Sequence, residues 1–248
     1  MSETYAISLY PLIDKMEKEH FWFHARSAMV RRLVQTTIAK PQGKTFLEIG
    51  CGTGILLPVF TDLGFQVTGV DVNARALYYA KKQSHATLIK SSLHSYKPKK
   101  QYDAIGIFDI LEHQKDDQAF LSSCHRLLRK DGYLFISVPA HQWLWNVVDD
   151  VSGHVRRYEI NDLTKKLEKA GFYVEFAHYW NFLLLGFYIL WRLQYMFRKG
   201  KSKIETYFMI PARPINIFCR WILTLEEQLF FWLPFPTGSS LIVVARKR

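Results

Sequence analysis

Three groups of residues in this chain have the types and spacing to do chemistry. The first is the turn EIGCGTG, Glu48 to Gly54, set between an apolar run and a helical pattern. Glycines there let backbone N–H groups come close to a ligand at a helix N-terminus. Asp71 ends the next apolar run, where a carboxylate can take a pair of ribose hydroxyls. The second group is the histidines His20, His113, His141 and His154. An imidazole titrates near neutrality and can accept a proton during a reaction. His141 and His154 both follow the fifth apolar run, where α/β sheets bind ligands. The third group is the pair Arg156 and Arg157, ahead of a helical pattern. Adjacent guanidiniums can grip a phosphate or carboxylate, or pair with Asp149, Asp150 or Glu159 nearby.

Positioning these groups falls to an alternation of strands and helices. KTFLEIG, FQVTGVD, ATLIKSS, YDAIGIFDIL and YLFISVPA read as five strands separated by helical patterns. FYVEFAHY and SSLIVVARK read as a sixth and a last. Strands alternating with helices predict an α/β fold with a doubly wound, mostly parallel seven-stranded sheet. The helix DDQAFLSSCHRLLRKDG is expected to close at Gly132, and the helix over 159–171 to be capped by Asn161 or Asp162. The chain reads as one unit: an N-terminal helical lid over 1–40, a core over 41–179, a hydrophobic helical insertion over 180–238 and a final strand over 239–248.

The glycine turn is not that of a nicotinamide or flavin site. That fingerprint wants a glycine three places after the second one, and position 55 is Ile. FLEIGCGTG, VTGVDVN, the box FDILEH at 108–113 and the block HRLLRKDGYLFISVP at 125–139 together resemble the class I S-adenosylmethionine-dependent methyltransferases, of the methyltransferase-11/23 kind. The resemblance covers roughly 40–175 and the final strand. It implies S-adenosylmethionine as cofactor and S-adenosylhomocysteine as product. It places Glu48, Gly50, Gly52 and Gly54 on the methionine and ribose side. Asp71 would hold the ribose hydroxyls, and Val72 would lie against adenine. Ser92 and Leu93 match the position that contacts the adenine amine, where many members carry an Asp. Asp109, Leu111 and His113 would face the methyl group. In GHVRRYEINDL, the pattern H-x-R-R-Y resembles a substrate-side motif. By it His154 and His113 become the candidate catalytic residues, and His141, Arg156, Arg157 and Tyr158 the candidate substrate contacts. The segment EKEHFWFHARSAMVRR resembles a lid helix, with Trp22, Phe23 and Arg26 over the cofactor and Arg26 near its carboxylate.

The insertion carries the unbroken apolar run Phe182 to Trp191. As a helix it rises about 15 Å, half of a bilayer core of about 30 Å, and Arg192 and Gln194 then interrupt it. A span is not expected; a cap, a dimer interface or a membrane-surface helix remains. A second helix is expected from near Pro214 to Pro234, with Phe218, Trp221, Ile222, Leu225, Leu229 and Trp232 on one side. Arg198, Lys199, Lys201 and Lys203 lie beside these aromatics, as in interfacial helices.

A net charge of +11 suggests an anionic partner, either phosphate-rich lipid or nucleic acid. The composition excludes a disordered or fibrous chain. Cys51, Cys124 and Cys219 show no metal spacing, and no metal is expected. Together with an N-terminus lacking an apolar signal core, they point to the cytoplasm, with peripheral contact to the inner membrane face. The expected activity is O-methylation of a small, apolar or lipid-linked acceptor. Ubiquinone-pathway O-methyltransferases, which use the same core on prenylated, membrane-resident substrates, offer a distant likeness. RNA methylation and a non-catalytic scaffold are the alternatives. Basic residues here are scattered rather than striped, and no Asn-Pro-Pro-Tyr box follows the fourth strand, so nucleic acid is the less expected partner.

Overall fold

The computed structural model describes residues 10–190 and 209–248. Arg192, Gln194 and the basic cluster Arg198, Lys199, Lys201 and Lys203 lie outside the described residues. Two helices, α1 (Tyr10–Glu19) and α2 (Phe21–Thr37), precede the sheet. Then follow β1 (Thr45–Ile49), α3 (Leu57–Asp62), β2 (Gln66–Asp71), α4 (Ala74–Gln83), β3 (Thr87–Lys90) and β4 (Tyr102–Phe108). After them come α5 (Asp117–Leu127), β5 (Leu128–Pro139), α6 (Val147–Ser152), α7 (Ile160–Lys169) and β6 (Phe172–Trp180). A helical turn at 185–190, α8 (Arg213–Phe230) and β7 (Ser240–Lys247) complete the described chain.

The seven strands run β3-β2-β1-β4-β5-β7-β6. All pairs are parallel except those of β7, which is antiparallel to β5 and β6. Central strands are apolar on both faces because helices cover both. Phe46, Phe60 and Phe135 belong to the core on one face, and Ile105, Leu134 and Leu163 to the core on the other. Phe46 and Phe60 stack with centroids 3.8 Å apart.

Polar caps fix where helices begin. Asn73 accepts from the Arg75 and Ala76 N–H groups at α4, and Asp116 accepts from Ala119 at α5. Two expected boundaries differ. Helix α5 ends at Leu127 rather than at Gly132, because Leu128 already pairs with Tyr102 and starts β5. Helix α7 begins after Glu159, with no side-chain cap from Asn161 or Asp162. The Glu159 carboxylate is engaged elsewhere, by His141 and Tyr179.

Helix α8 packs against α1 and α2. Asn216 accepts from the Phe21 N–H at 2.8 Å and donates to the Glu19 carbonyl at 2.7 Å. Leu223, Glu226 and Phe230 form its buried stripe. The expected apolar side faces the other way: Phe218, Trp221, Leu225 and Trp232 are exposed, and Ile222 and Leu229 are half-buried. Among the described residues, no helix is long and apolar enough to cross a membrane.

Candidate active site

The carboxyl ends of β1, β4 and β5 open into a cavity of about 730 Å³. Helices α1 and α2 close it on one side, and residues 181–188 with Met209 and Cys219 close it on another. Its size suits a cofactor and a small acceptor together. A second hollow of about 550 Å³ lies at the opposite ends of β1 and β2, lined by Thr45, Gln66 and Tyr102. The expected chemistry groups lie away from it.

The glycine turn forms the cavity floor. Gly50 takes φ +71, and a Cβ there would sit 2.1 Å from the Ile110 side chain. Gly52 takes φ +54 and donates its N–H to Asp71 Oδ2 at 2.9 Å. At Gly50 only glycine combines this backbone with this approach. Asp71 Oδ1 also accepts from the Asn73 N–H, so the acid braces the turn from outside the cavity wall. Glu48 is fully buried in the floor, and its Oε2 has no hydrogen-bond partner among the described residues. Burial raises its carboxyl to about 8, against the pull of Arg26. A buried carboxylate with a vacant acceptor suits the donors of an amino-acid or ribose ligand.

Helices α1 and α2 latch over this floor. Glu17 accepts a hydrogen bond from the Thr53 hydroxyl across the cavity rim. Burial lifts Glu17 to about 7, against that bond and the Arg26 charge. Trp22 and Phe23 line the wall. Arg26 lies against the Trp22 ring and pairs with Asp109 at 2.7 Å. Asp109 follows β4 directly at φ 55, a strained backbone for a residue other than glycine. Ser137 donates to its other oxygen.

Opposite the floor stands a polar cluster. Asp149 accepts from His154 Nδ1 at 2.8 Å and from Arg157 Nε and Nη2 at 2.9 and 2.8 Å. Burial alone would raise Asp149, but these bonds hold it below the usual carboxylate range. His113 lies edge-on to His154, with ring centroids 4.8 Å apart, and burial lowers its pKa. Tyr188 reaches Asn146 at 2.5 Å and Arg157 at 3.2 Å from the segment after β6. Glu112 is fully buried in the same wall.

The structure thus gathers Arg26, Glu48, Gly50, Gly52, Asp109, His113, His154 and Arg157 around one cavity. It holds other expected residues elsewhere. Gly54 packs on Ala80 of α4, and Val72, Ser92 and Leu93 lie beyond the wall, with Ser92 Oγ capping its own turn. Leu111 is buried in the core. His141 is clasped between Glu159 and Thr237 and stacks on Tyr179. Arg156 pairs with Asp117 at 2.6 Å, a partner sequence proximity did not suggest. Tyr158 is buried and donates to the Leu111 carbonyl and Asp117. Of the four expected substrate contacts, only Arg157 reaches the wall. Glu17, Thr53, Glu112 and Tyr188 line the site without having been singled out, and Asp149 supports it as the Arg157 partner that sequence proximity offers as an alternative. Glu112 stood in the quoted box FDILEH, Thr53 in the turn EIGCGTG and Glu17 at the head of the lid segment, so their signals were present; Tyr188 joins them only by folding.

Residues 21–176 match the family model described as "Methyltransferase domain". A relative from Mycolicibacterium smegmatis, named "Probable S-adenosylmethionine-dependent methyltransferase", is 29% identical over 171 residues, covering 66% of this chain and 63% of its own length. A "Ubiquinone biosynthesis O-methyltransferase" from Glaesserella parasuis is 35% identical over 106 residues, covering 38% of this chain and 45% of its own length. The chain therefore spans less than two thirds of these relatives. Among solved structures, the 4+2 cyclase SpnF superposes with a TM-score of 0.65 at 18% identity, covering 97% of this chain and 93% of that one. That likeness concerns the fold alone. The match over most of the chain, on a sheet of this topology, makes this protein a member of the S-adenosylmethionine-dependent methyltransferase family, with S-adenosylmethionine as its cofactor.

Proposed function

We propose that this protein transfers the methyl group of S-adenosylmethionine to an oxygen of a small apolar or lipid-linked acceptor. One observation carries the reading: a single cavity joins the glycine-turn floor, with its unsatisfied Glu48, to the Asp149–His154 pair. The bound cofactor supplies a methyl that is already electrophilic, so the protein's tasks are positioning and proton removal. Glu48, Gly50, Gly52 and Thr53 would hold the cofactor's amino-acid and ribose end, braced by Asp71. Glu17 and Arg26 close the lid over it. Asp149 accepts from His154 Nδ1, which leaves Nε2 to take the proton of an acceptor hydroxyl. Phe21, Trp22, Leu184 and Phe187 give the acceptor end an apolar wall, which favours an apolar ligand.

The outer face of α8 supports delivery of that acceptor from a membrane surface. Trp221, on the helix that packs on the lid, is 62% exposed, and Trp232, just past its C-terminal end, is 80% exposed. Aromatic side chains at such a face favour the bilayer interface. The name of the Glaesserella relative, a ubiquinone-pathway enzyme, agrees with an apolar acceptor. SpnF shows that a chain of this shape can carry the name of a different reaction, so transfer itself has to be measured.

The test uses cofactor labelled in its methyl group. Long-chain phenols in anionic vesicles, soluble phenols and bulk RNA are offered side by side. Label is expected on the vesicle phenols, with turnover reduced about 10²–10⁴-fold by His154→Ala at unchanged cofactor affinity. Label on RNA alone, or cofactor binding without transfer to any acceptor, would sink the proposal.

A further inference from the structure

We propose that Glu112, His113 and His154 form a binding site for one divalent first-row transition-metal ion at the acceptor end of the cavity. One donor atom from each lies within 4.8 Å of the other two. Facial or tetrahedral donors on a single ion with bonds of about 2.1 Å lie about 3.0–3.4 Å apart, so the widest pair must close by about 1.5 Å, within reach of side-chain rotation. Two imidazoles and one carboxylate are the donor set of facial iron and of catalytic zinc, rather than of magnesium or calcium.

The second, independent observation is Glu112 itself. It has no exposed surface, and neither carboxylate oxygen has a hydrogen-bond partner among the described residues. Buried charges are paired or bound to metal. The nearest basic nitrogen, His154 Nε2, stands 3.8 Å from Oε1, beyond hydrogen-bond reach. Adding a proton to the carboxyl would remove its charge but leave both oxygens without a protein partner. A cation between the acid and the two rings satisfies it.

The surroundings are those of a supported metal site. His154 Nδ1 is bonded to Asp149, which holds the ring and directs Nε2 toward Glu112. His113 Nδ1 lies 3.4 Å from the Gly153 carbonyl. The two ligand segments are tied together, because the Val155 N–H donates to the Glu112 carbonyl at 2.9 Å. Open positions on the ion would face the cavity, where an acceptor oxygen can bind. The ion would occupy the His154 lone pair, so acceptor activation would pass from the imidazole to the ion, which lowers the pKa of a bound hydroxyl. That last use rests on the methyl-transfer reading; the site does not. The sequence expectation of no metal weighed only cysteine spacing and had no view of this convergence.

The experiment dialyses the chelator-treated full chain against Co²⁺ alone and then Zn²⁺ alone. Bound metal and the visible spectrum are both read. One equivalent is expected, with a cobalt spectrum free of thiolate bands. Glu112→Gln and His154→Ala should each weaken binding about tenfold or more, and Asp149→Asn, which keeps all three ligands, about 10–100-fold. His85→Ala, on the surface, should change nothing. Asp149→Asn serves if a ligand variant fails to fold. Absence of a stoichiometric ion, or an ion retained by Glu112→Gln and His154→Ala together, overturns the inference. Full methyl transfer in chelator with no ion bound overturns it while the methyltransferase reading stands. A bound ion without transfer to any acceptor overturns that reading and leaves the site.

Discussion

Glu112 and Glu226 are both buried without exposed surface, and the fold treats them in opposite ways. Glu226, on α8, accepts from the Phe182 and Leu183 N–H groups, one to each oxygen at 2.9 Å. It ties the segment after β6 to the helix that packs on the lid. Glu112, at the cavity wall, has no such donors. Native interiors satisfy most of their polar groups, and an exception that lines a cavity is where a water, an ion or a ligand can complete the structure. The first acid is therefore part of the scaffold, and the second part of the site.

The largest expected effect tests the scaffold half of that contrast. Glu226→Ala strands two half-buried N–H groups and empties a buried site, and should cost about 3 kcal/mol of unfolding free energy, read from urea midpoints. A midpoint that does not move would erase the distinction. The next effect concerns pH. Burial raises Glu17 to about 7 and Glu48 to about 8, from an ordinary 4.5. A raised acid favours the folded state while protonated. Its contribution is whole below about 4.5 and is lost as pH rises through 7 and 8. The cofactor-free protein should therefore unfold more readily at pH 8 than at pH 5, and Glu17→Gln should flatten the lower part of that slope. Glu112→Gln should act opposite to Glu226→Ala. Without added metal it should raise stability by about 1 kcal/mol, because an orphaned acid becomes an amide, and the same urea titration reads the gain. Smallest of all, Trp221→Ser with Trp232→Ser should change stability by less than about 0.5 kcal/mol, since both rings are exposed. The double variant should nonetheless lose co-sedimentation with anionic vesicles; retained binding removes the membrane role of α8.

Much of the fold was legible because its signals are local. Strand patterns, the Asn73 cap and the turn EIGCGTG each sit within a few residues, and the sheet follows from their order. Boundaries went astray where tertiary partners decided. Leu128 joined β5 because Tyr102 pairs with it, and Glu159 left α7 uncapped because His141 and Tyr179 took its carboxylate. The same physics governs the site. His141, Arg156 and Tyr158 carry the right chemistry, yet each spends its polar atoms on protein partners.

The sequence by itself determined the family, the glycine turn, and the placing of His113 and His154 in the loops that follow the fourth and fifth strands. These depend on backbone conformation and alternation, which neighbouring residues dictate. Only the tertiary structure decided that Glu17 latches onto Thr53, that Asp149 takes His154 as well as Arg157, and that α8 turns Trp221 outward. Those outcomes depend on which distant groups meet in a low-dielectric interior, where an acid is either saturated by donors or left for a ligand.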